Sequence, residues 1–328
     1  MIKEIMDSRR SFLKKVSRST VLAPAMLSSV AGAAIASDQQ SKPIRIGIIG
    51  AENSHTVGYG KMFNIDKKFP GIEVKYVWGE TEAFAKAAME KGGIPEMVKD
   101  PKQMLGKIDA LIVDHRHAKF HLEAARPFIE ARIPTFIDKP FCYRVEEGKK
   151  FLALARQAGT PVTSYSGVAH SANTLNIKKQ VEALGPINHV VSYGPVDIHS
   201  VYGGVFFYGV HLVEPLMYIF GEDIVKARVT RNNDNATADL AFASGMLATL
   251  IFLNQTYKFE MYAEAKSGII PLKAAEEEEE PGKAYQDMVA MFRTGKEPRS
   301  HESILKGIAV LEALERSVES EAWEKVAV

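Results

Sequence analysis

Ile44-Arg45-Ile46-Gly47-Ile48-Ile49-Gly50, continuing into Ala51-Glu52-Asn53-Ser54-His55, decides the fold. A short run of branched apolar side chains ending on glycine reads as a strand buried on both faces, and the Ala51–His55 segment reads as the entry to a helix. The unit recurs downstream. Helix candidates from Val57 to Phe69, Glu82 to Lys91, Ala118 to Ala131 and Val145 to Ala158 alternate with strand candidates from Ile72 to Trp78, Ile108 to Val113, Ile133 to Ile137 and Pro161 to Tyr165. Apolar runs alternating with amphipathic helices predict a parallel sheet covered on both faces.

Beyond residues 163–167 the texture changes. One helix candidate, Ala172 to Leu184, precedes longer strand-like runs from Ile187 to Tyr193, Ile224 to Thr230, Thr237 to Phe242, Leu247 to Leu253 and Phe259 to Ala265. Ala243-Ser244-Gly245-Met246 reads as a hairpin turn. Glu276 to Glu280 reads as a solvated loop and Ser303 to Ser320 as a closing amphipathic helix. The expected class is therefore α/β. A Rossmann-type doubly wound parallel sheet spans residues 37–165, and an α+β domain with an open, mainly antiparallel sheet spans residues 166–328.

Residues 1–36 stand apart. Ser8-Arg9-Arg10-Ser11-Phe12-Leu13-Lys14 is a twin-arginine pattern, an apolar stretch runs from Val21 to Ala36, and Ala34-Ile35-Ala36 offers small residues to a signal peptidase. The apolar run is shorter than the roughly 20 residues of a membrane span. The reading is a signal for the twin-arginine export machinery, cleaved after Ala36, with the mature protein periplasmic and no longer membrane-associated. Taking its six basic and two acidic residues from totals of 41 and 40 leaves a formal charge of −3. That balance gives no electrostatic case for nucleic acid or an anionic membrane. The single cysteine, Cys142, excludes an internal disulfide and any cysteine-based metal cluster.

A strand, a glycine turn and a helix form the place where a pyrophosphate rests on backbone N–H groups. Gly50 and Ala51 fit that turn, but Glu52 and His55 stand where a G-x-G-x-x-G pattern has its second and third glycines. Asn53, Ser54 and His55 can still donate hydrogen bonds. Glu80, just past the second strand, suits a ribose diol and would repel a 2′-phosphate. With no basic residue in Thr81-Glu82-Ala83, NAD is favoured over NADP. The plainer reading of Glu80 is a cap for the next helix.

Two further motifs carry chemistry: Ile137-Asp138-Lys139-Pro140 at a strand end, and Gly209-Val210-His211-Leu212-Val213-Glu214 in an apolar, aromatic segment. Together with the Gly47–His55 turn, His121 after the Ile108–Val113 strand, and Arg293-Thr294-Gly295-Lys296-Glu297-Pro298, they resemble the Gfo/Idh/MocA family, which includes glucose–fructose oxidoreductase and inositol dehydrogenase. Asp138-Lys139-Pro140 resembles the family's E-K-P, and the His211 segment its G-x-H-x-x-D. The resemblance implies a bound NAD with Asp114, Asp138 and Lys139 near it, Lys139 holding a reacting hydroxyl and His211 taking its proton. It also implies a homo-oligomer. The plainer alternatives are a surface lysine pinned by Pro140 for Lys139 and a core histidine satisfied by a backbone carbonyl for His211.

Departures from the pattern matter as much. Phe207 stands where many family dehydrogenases carry an aspartate, and Asp114-His115-Arg116-His117 replaces small residues and prolines. His115 and His117 are candidates to bind substrate hydroxyls, Asp197 and His199 to supply a substitute acid–base pair, and Glu214 to face the substrate. Adjacent loop residues rarely converge on one ion, so no metal site is expected. Three functions are compatible with these residues: an exported, NAD-dependent oxidoreductase of a sugar or cyclitol; an enzyme that cleaves glycosides by transient oxidation and elimination; or a catalytically degenerate binding protein on the same fold.

Overall fold

The computed structural model describes residues 43–275 and 281–328; the twin-arginine segment and the Glu276–Glu280 run lie outside the described residues. Six strands form the first sheet: β1 (Ile44–Ile49), β2 (Ile72–Trp78), β3 (Glu96–Met97), β4 (Ala110–Val113), β5 (Thr135–Ile137) and β6 (Val162–Thr163). All pair in parallel in the order β3-β2-β1-β4-β5-β6. This is the doubly wound order, whose direction reverses between β1 and β4. Ile46, Ile48, Ile49 and all of β4 are buried, as strands covered on both faces require.

Local chemistry sets the helix ends. In α1 (Ser54–Gly60) the Asn53 side chain accepts from His55 N, so the helix starts earlier than Val57; it continues as a π-helical turn, Lys61–Ile65, and ends short of Phe69. The Thr81 hydroxyl caps α2 (Glu82–Gly92) by accepting from Phe84 N, and Gly93 ends it in the left-handed region. His121–Glu130 (α3) and Val145–Ala158 (α4) complete the set.

The second sheet runs β12-β11-β7-β10-β9-β8-β13, built from β7 (His189–Pro195), β8 (Ile224–Asn232), β9 (Asn235–Phe242), β10 (Leu247–Leu253), β11 (Glu260–Ala265), β12 (Gly268–Leu272) and β13 (Glu324–Lys325). Every pair is antiparallel except β7 with β10, in line with the mainly antiparallel sheet expected. Helices α5 (Ala172–Leu184), α6 (Val205–Phe220), α7 (Lys283–Thr294) and α8 (His301–Ser320) accompany it. The α6 helix packs on β7 and α8, and α8 on β8. Residues of both sheets share one apolar core running from Ile49 and Val113 to Leu216 and Leu250. Three elements carry little periodic signal: α6 is apolar on nearly every side, β12 contains Pro271 at a sheet edge, and β3 is two residues long. Among the described residues no helix is long and apolar enough to cross a membrane.

Candidate active site

The C-terminal ends of β1, β4 and β5 lie side by side at the switch point, where open α/β sheets bind ligands. Gly50, just after β1, has φ +110°, and a Cβ there would sit 2.5 Å from the Asp114 carbonyl carbon and the His115 nitrogen. Glycine alone lets the turn pass this close to β4. The amides of Ala51 and Glu52 then converge on Glu80 Oε2, each at 2.9 Å. Glu80 thus anchors the turn, where the sequence placed it on a ribose, because β2 runs beside β1 and its acidic end meets two backbone donors. Its other oxygen, Oε1, is buried without a partner.

These features fit an adenine dinucleotide. Two turn amides gathered on one anionic oxygen show that the turn presents donors to negative charge, and the orphaned Oε1 is an acceptor that a ribose hydroxyl satisfies. The Glu52 carboxylate, the group most hostile to a diphosphate, is engaged by the Tyr202 hydroxyl at 2.6 Å. Glu80→Ala is expected to weaken NAD binding by about 10–100-fold, the loss of a charge-assisted hydrogen bond, and NADP binding much less. Parallel titrations of the two nucleotides check this.

Next to the turn lies a buried polar knot. Asn53 Nδ2 donates to Asp114 Oδ1 (3.0 Å) and Asp138 Oδ2 (3.1 Å), and His55 Nδ1 lies 3.3 Å from Asp138 Oδ2. The two carboxylates divide their roles. Burial and then the Asp138 charge push the Asp114 carboxyl well above its usual range. Burial also opposes ionisation of Asp138, but the Lys139 ammonium and His55 outweigh it and hold that carboxyl down. Asp138 in turn raises His55. The Thr56 hydroxyl lies within hydrogen-bond distance of both Gly50 O and Asp114 Oδ2. His55, Asp114 and Asp138 bring ligand-type atoms within 4.8 Å of one another, but the Asn53 amino group donates into that space.

A cavity of about 470 Å³ opens beyond the knot, lined among others by Asn53, His55, Arg116, Lys139, Phe207 and His211. Lys139, on the β5 side, sits 3.6 Å from Asp138 Oδ2. His211, on α6, comes from the other layer. Its Nδ1 lies 2.7 Å from Ser166 Oγ, leaving Nε2 as the ring nitrogen for the cavity. Burial, then Lys139, lowers the His211 pKa to about 3, so the ring is neutral at ordinary pH. Ser166 is fixed in turn. Its N–H donates to Glu214 Oε2, and Glu214 Oε1 accepts from Arg299 Nη1 at 2.6 Å. Glu214 is therefore a buried strut behind the histidine, whereas the sequence expected it to face the substrate; on α6 it points at the Ser166 loop.

Other expected site residues lie elsewhere. The His115 ring is buried against Trp78, Phe120 and His121, with Nδ1 unpartnered. His117 Nδ1 bonds the Tyr143 hydroxyl at 2.9 Å. Neither lines the cavity: His115 is turned into the packing beside Trp78 and His121, and His117 toward Tyr143 and Tyr202, whereas Arg116 between them lines it. Asp197 and His199 are not a catalytic pair: Asp197 Oδ1 accepts the His199 amide in a local turn, and the His199 ring lies exposed, 3.7 Å from Asp234. Both sit on the exposed loop leaving β7. Ser54 and His55 line the cavity. Sequence reasoning missed Ser166, His170 and Tyr257, which reach the site from turns that carry no motif.

Burial also lowers the His115 pKa to about 3. The folded chain keeps this ring neutral while the unfolded chain protonates it near pH 6.5, so its contribution is intact above pH 6.5 and lost as pH falls toward 3. Each such histidine, His211 included, steepens acid destabilisation by about 1.4 kcal/mol per pH unit. His115→Phe is expected to remove one such increment from the slope between pH 6 and pH 4, read from denaturant unfolding at several pH values.

The fold joins a doubly wound parallel sheet to a second, mainly antiparallel sheet, with the cavity at the switch point of the first. Residues 44–166 match the Gfo/Idh/MocA family model, described as an oxidoreductase family with an NAD-binding Rossmann fold. The uncharacterized oxidoreductase YhhX of Escherichia coli (strain K12) is 30% identical over 138 residues, covering 39% of this chain; the chain spans 38% of that relative's length. Solved structures extend the likeness of fold to the whole described chain. Myo-inositol dehydrogenase from Lactobacillus casei, in complex with NAD(H) and myo-inositol, has a TM-score of 0.73 at 13% identity, covering 87% of this chain and 97% of that one. Scyllo-inositol dehydrogenase from the same organism, with NAD(H) and scyllo-inositol, has 0.73 at 16%, covering 88% and 100%.

Proposed function

We propose that this protein is an exported, NAD-dependent oxidoreductase acting on a secondary hydroxyl of a sugar or cyclitol. The observation that carries the reading is the meeting of Lys139 from the parallel sheet and His211 from the second layer in one cavity at the switch point. Lys139 has N–H groups beyond its Asp138 contact with which to hold the reacting oxygen. With Nδ1–H donated to Ser166 Oγ, His211 presents the Nε2 lone pair and takes the hydroxyl proton. The nicotinamide, when bound, accepts the hydride. Tyr208 and Tyr257 give the cavity aromatic walls suited to the apolar faces of a sugar ring.

The twin-arginine segment supports a periplasmic location, and there the dinucleotide has to arrive tightly bound and be recycled in place. The likeness to inositol dehydrogenases supports a polyol-type substrate, and the half-solvated outer face of the second sheet suits a homo-oligomer. Incubating the purified protein with a panel of sugars and cyclitols, while following the bound cofactor by its absorbance, tests the reading. Reduction by at least one polyol, abolished in Lys139→Ala, is expected. Cofactor that stays oxidised across the panel, or a Lys139→Ala protein as active as the parent, overturns it.

A further inference from the structure

Arg116 is a cationic cavity residue that the proposed chemistry leaves unused. Its guanidinium carbon lies 4.4 Å from the Tyr202 ring centroid and 5.5 Å from that of Phe207, and the two rings lie 4.9 Å apart at 33°. Lys139 Nζ lies 5.8 Å from the same Phe207 ring. Phe207 thus carries both cations where an aspartate would balance one of them. The acidic groups at the cavity have other partners. Glu52 accepts the Tyr202 hydroxyl at 2.6 Å, and Asp138 has Lys139 at 3.6 Å and His55 at 3.3 Å. Among the described residues, Arg116 forms no ion pair and no hydrogen bond.

A guanidinium held against aromatic rings keeps N–H groups free, and such groups recognise carboxylate or phosphate in a bidentate way. We propose that Arg116 is the anion-binding group of this cavity and that the substrate is an anionic carbohydrate, a sugar acid or a sugar phosphate. Tyr202 and Phe207 fix the guanidinium, and Lys139 stands ready for a hydroxyl of the same molecule. The inference deepens the reading above and rests on it for the reaction, but not for the binding.

Calorimetric titration of the purified holoprotein with a hexuronate, a hexose 6-phosphate and the parent hexose tests it. At least one anionic sugar is expected to bind tenfold or more tightly than the neutral one, and the stronger anion tells carboxylate from phosphate. Arg116→Gln is expected to erase the preference and Arg116→Lys to keep part of it. Equal binding of neutral and anionic sugars overturns the proposal, as does a preference that survives in Arg116→Gln. Loss of the dinucleotide rather than of the sugar in Arg116→Gln overturns it too, since the arginine then serves the diphosphate. Tight binding of an anionic sugar without cofactor reduction leaves this inference standing and removes the oxidoreductase reading instead.

Discussion

His211→Asn is expected to lower kcat by about 10²–10⁴-fold, the usual loss when a positioned base is removed, with KM changed far less. The expectation rests on the placement of the ring. His211 is buried on α6, Nδ1 is taken by Ser166, and Nε2 is the nitrogen left for a substrate hydroxyl. Because burial and Lys139 lower its pKa to about 3, the ring is already the neutral, proton-accepting form at pH 5. Protonation of His211 should therefore not shape the acid limb of the rate profile above pH 4. Ser166→Ala separates positioning from chemistry. It removes the partner that fixes the tautomer, so kcat should fall roughly tenfold or more with KM nearly constant. Steady-state kinetics of both variants over a range of pH decides the matter. An unchanged kcat in His211→Asn would return the histidine to the ordinary role of a core side chain.

Glu214→Gln should cost stability more than specificity. The Glu214–Arg299 pair is about nine-tenths buried on both sides, at 2.6 Å, and Glu214 also accepts the Ser166 amide. Removing one partner of such a pair leaves a buried charge uncompensated, an effect of about 3–5 kcal/mol. Arg299 has further acceptors in Ser164 O and Ser303 O, so the lower end of that range is expected. Denaturant unfolding measures it directly. The residual activity of the folded fraction should keep the parent KM, because Glu214 lies behind His211 rather than against the substrate. A raised KM with parental stability would show that the carboxylate faces the ligand after all.

The legible parts of this chain were those whose signal is local. The branched apolar run of β1, its glycine turn, the strand–helix alternation downstream and the Asp138-Lys139-Pro140 strand end all declare themselves within a few residues, and the first sheet is built from them. The helix α6 did not, since a segment buried on nearly every side has no 3.6-residue polarity pattern to read. Site partners supplied from a distance were equally hidden. Ser166 matters because Glu214 and Arg299 hold it under His211, and Arg116 because Tyr202 and Phe207 arrive from another element. Asp197 and His199 show the converse: residue types suited to catalysis, two positions apart in sequence, that serve an exposed turn. Glu80 was found at the right strand end, but with one carboxylate oxygen also tied to the turn amides of Ala51 and Glu52, a contact that no local pattern announces.

The most direct measurement is the identification of nucleotide released on denaturing freshly purified protein, by absorbance and mass. NAD at about one per chain is the expected result, with Glu80 at the end of β2 and the groups of the switch-point cavity holding it. Protein that releases no nucleotide, and takes up none from excess NAD, would contradict it, leaving Lys139 and His211 facing each other across a cavity with no hydride acceptor.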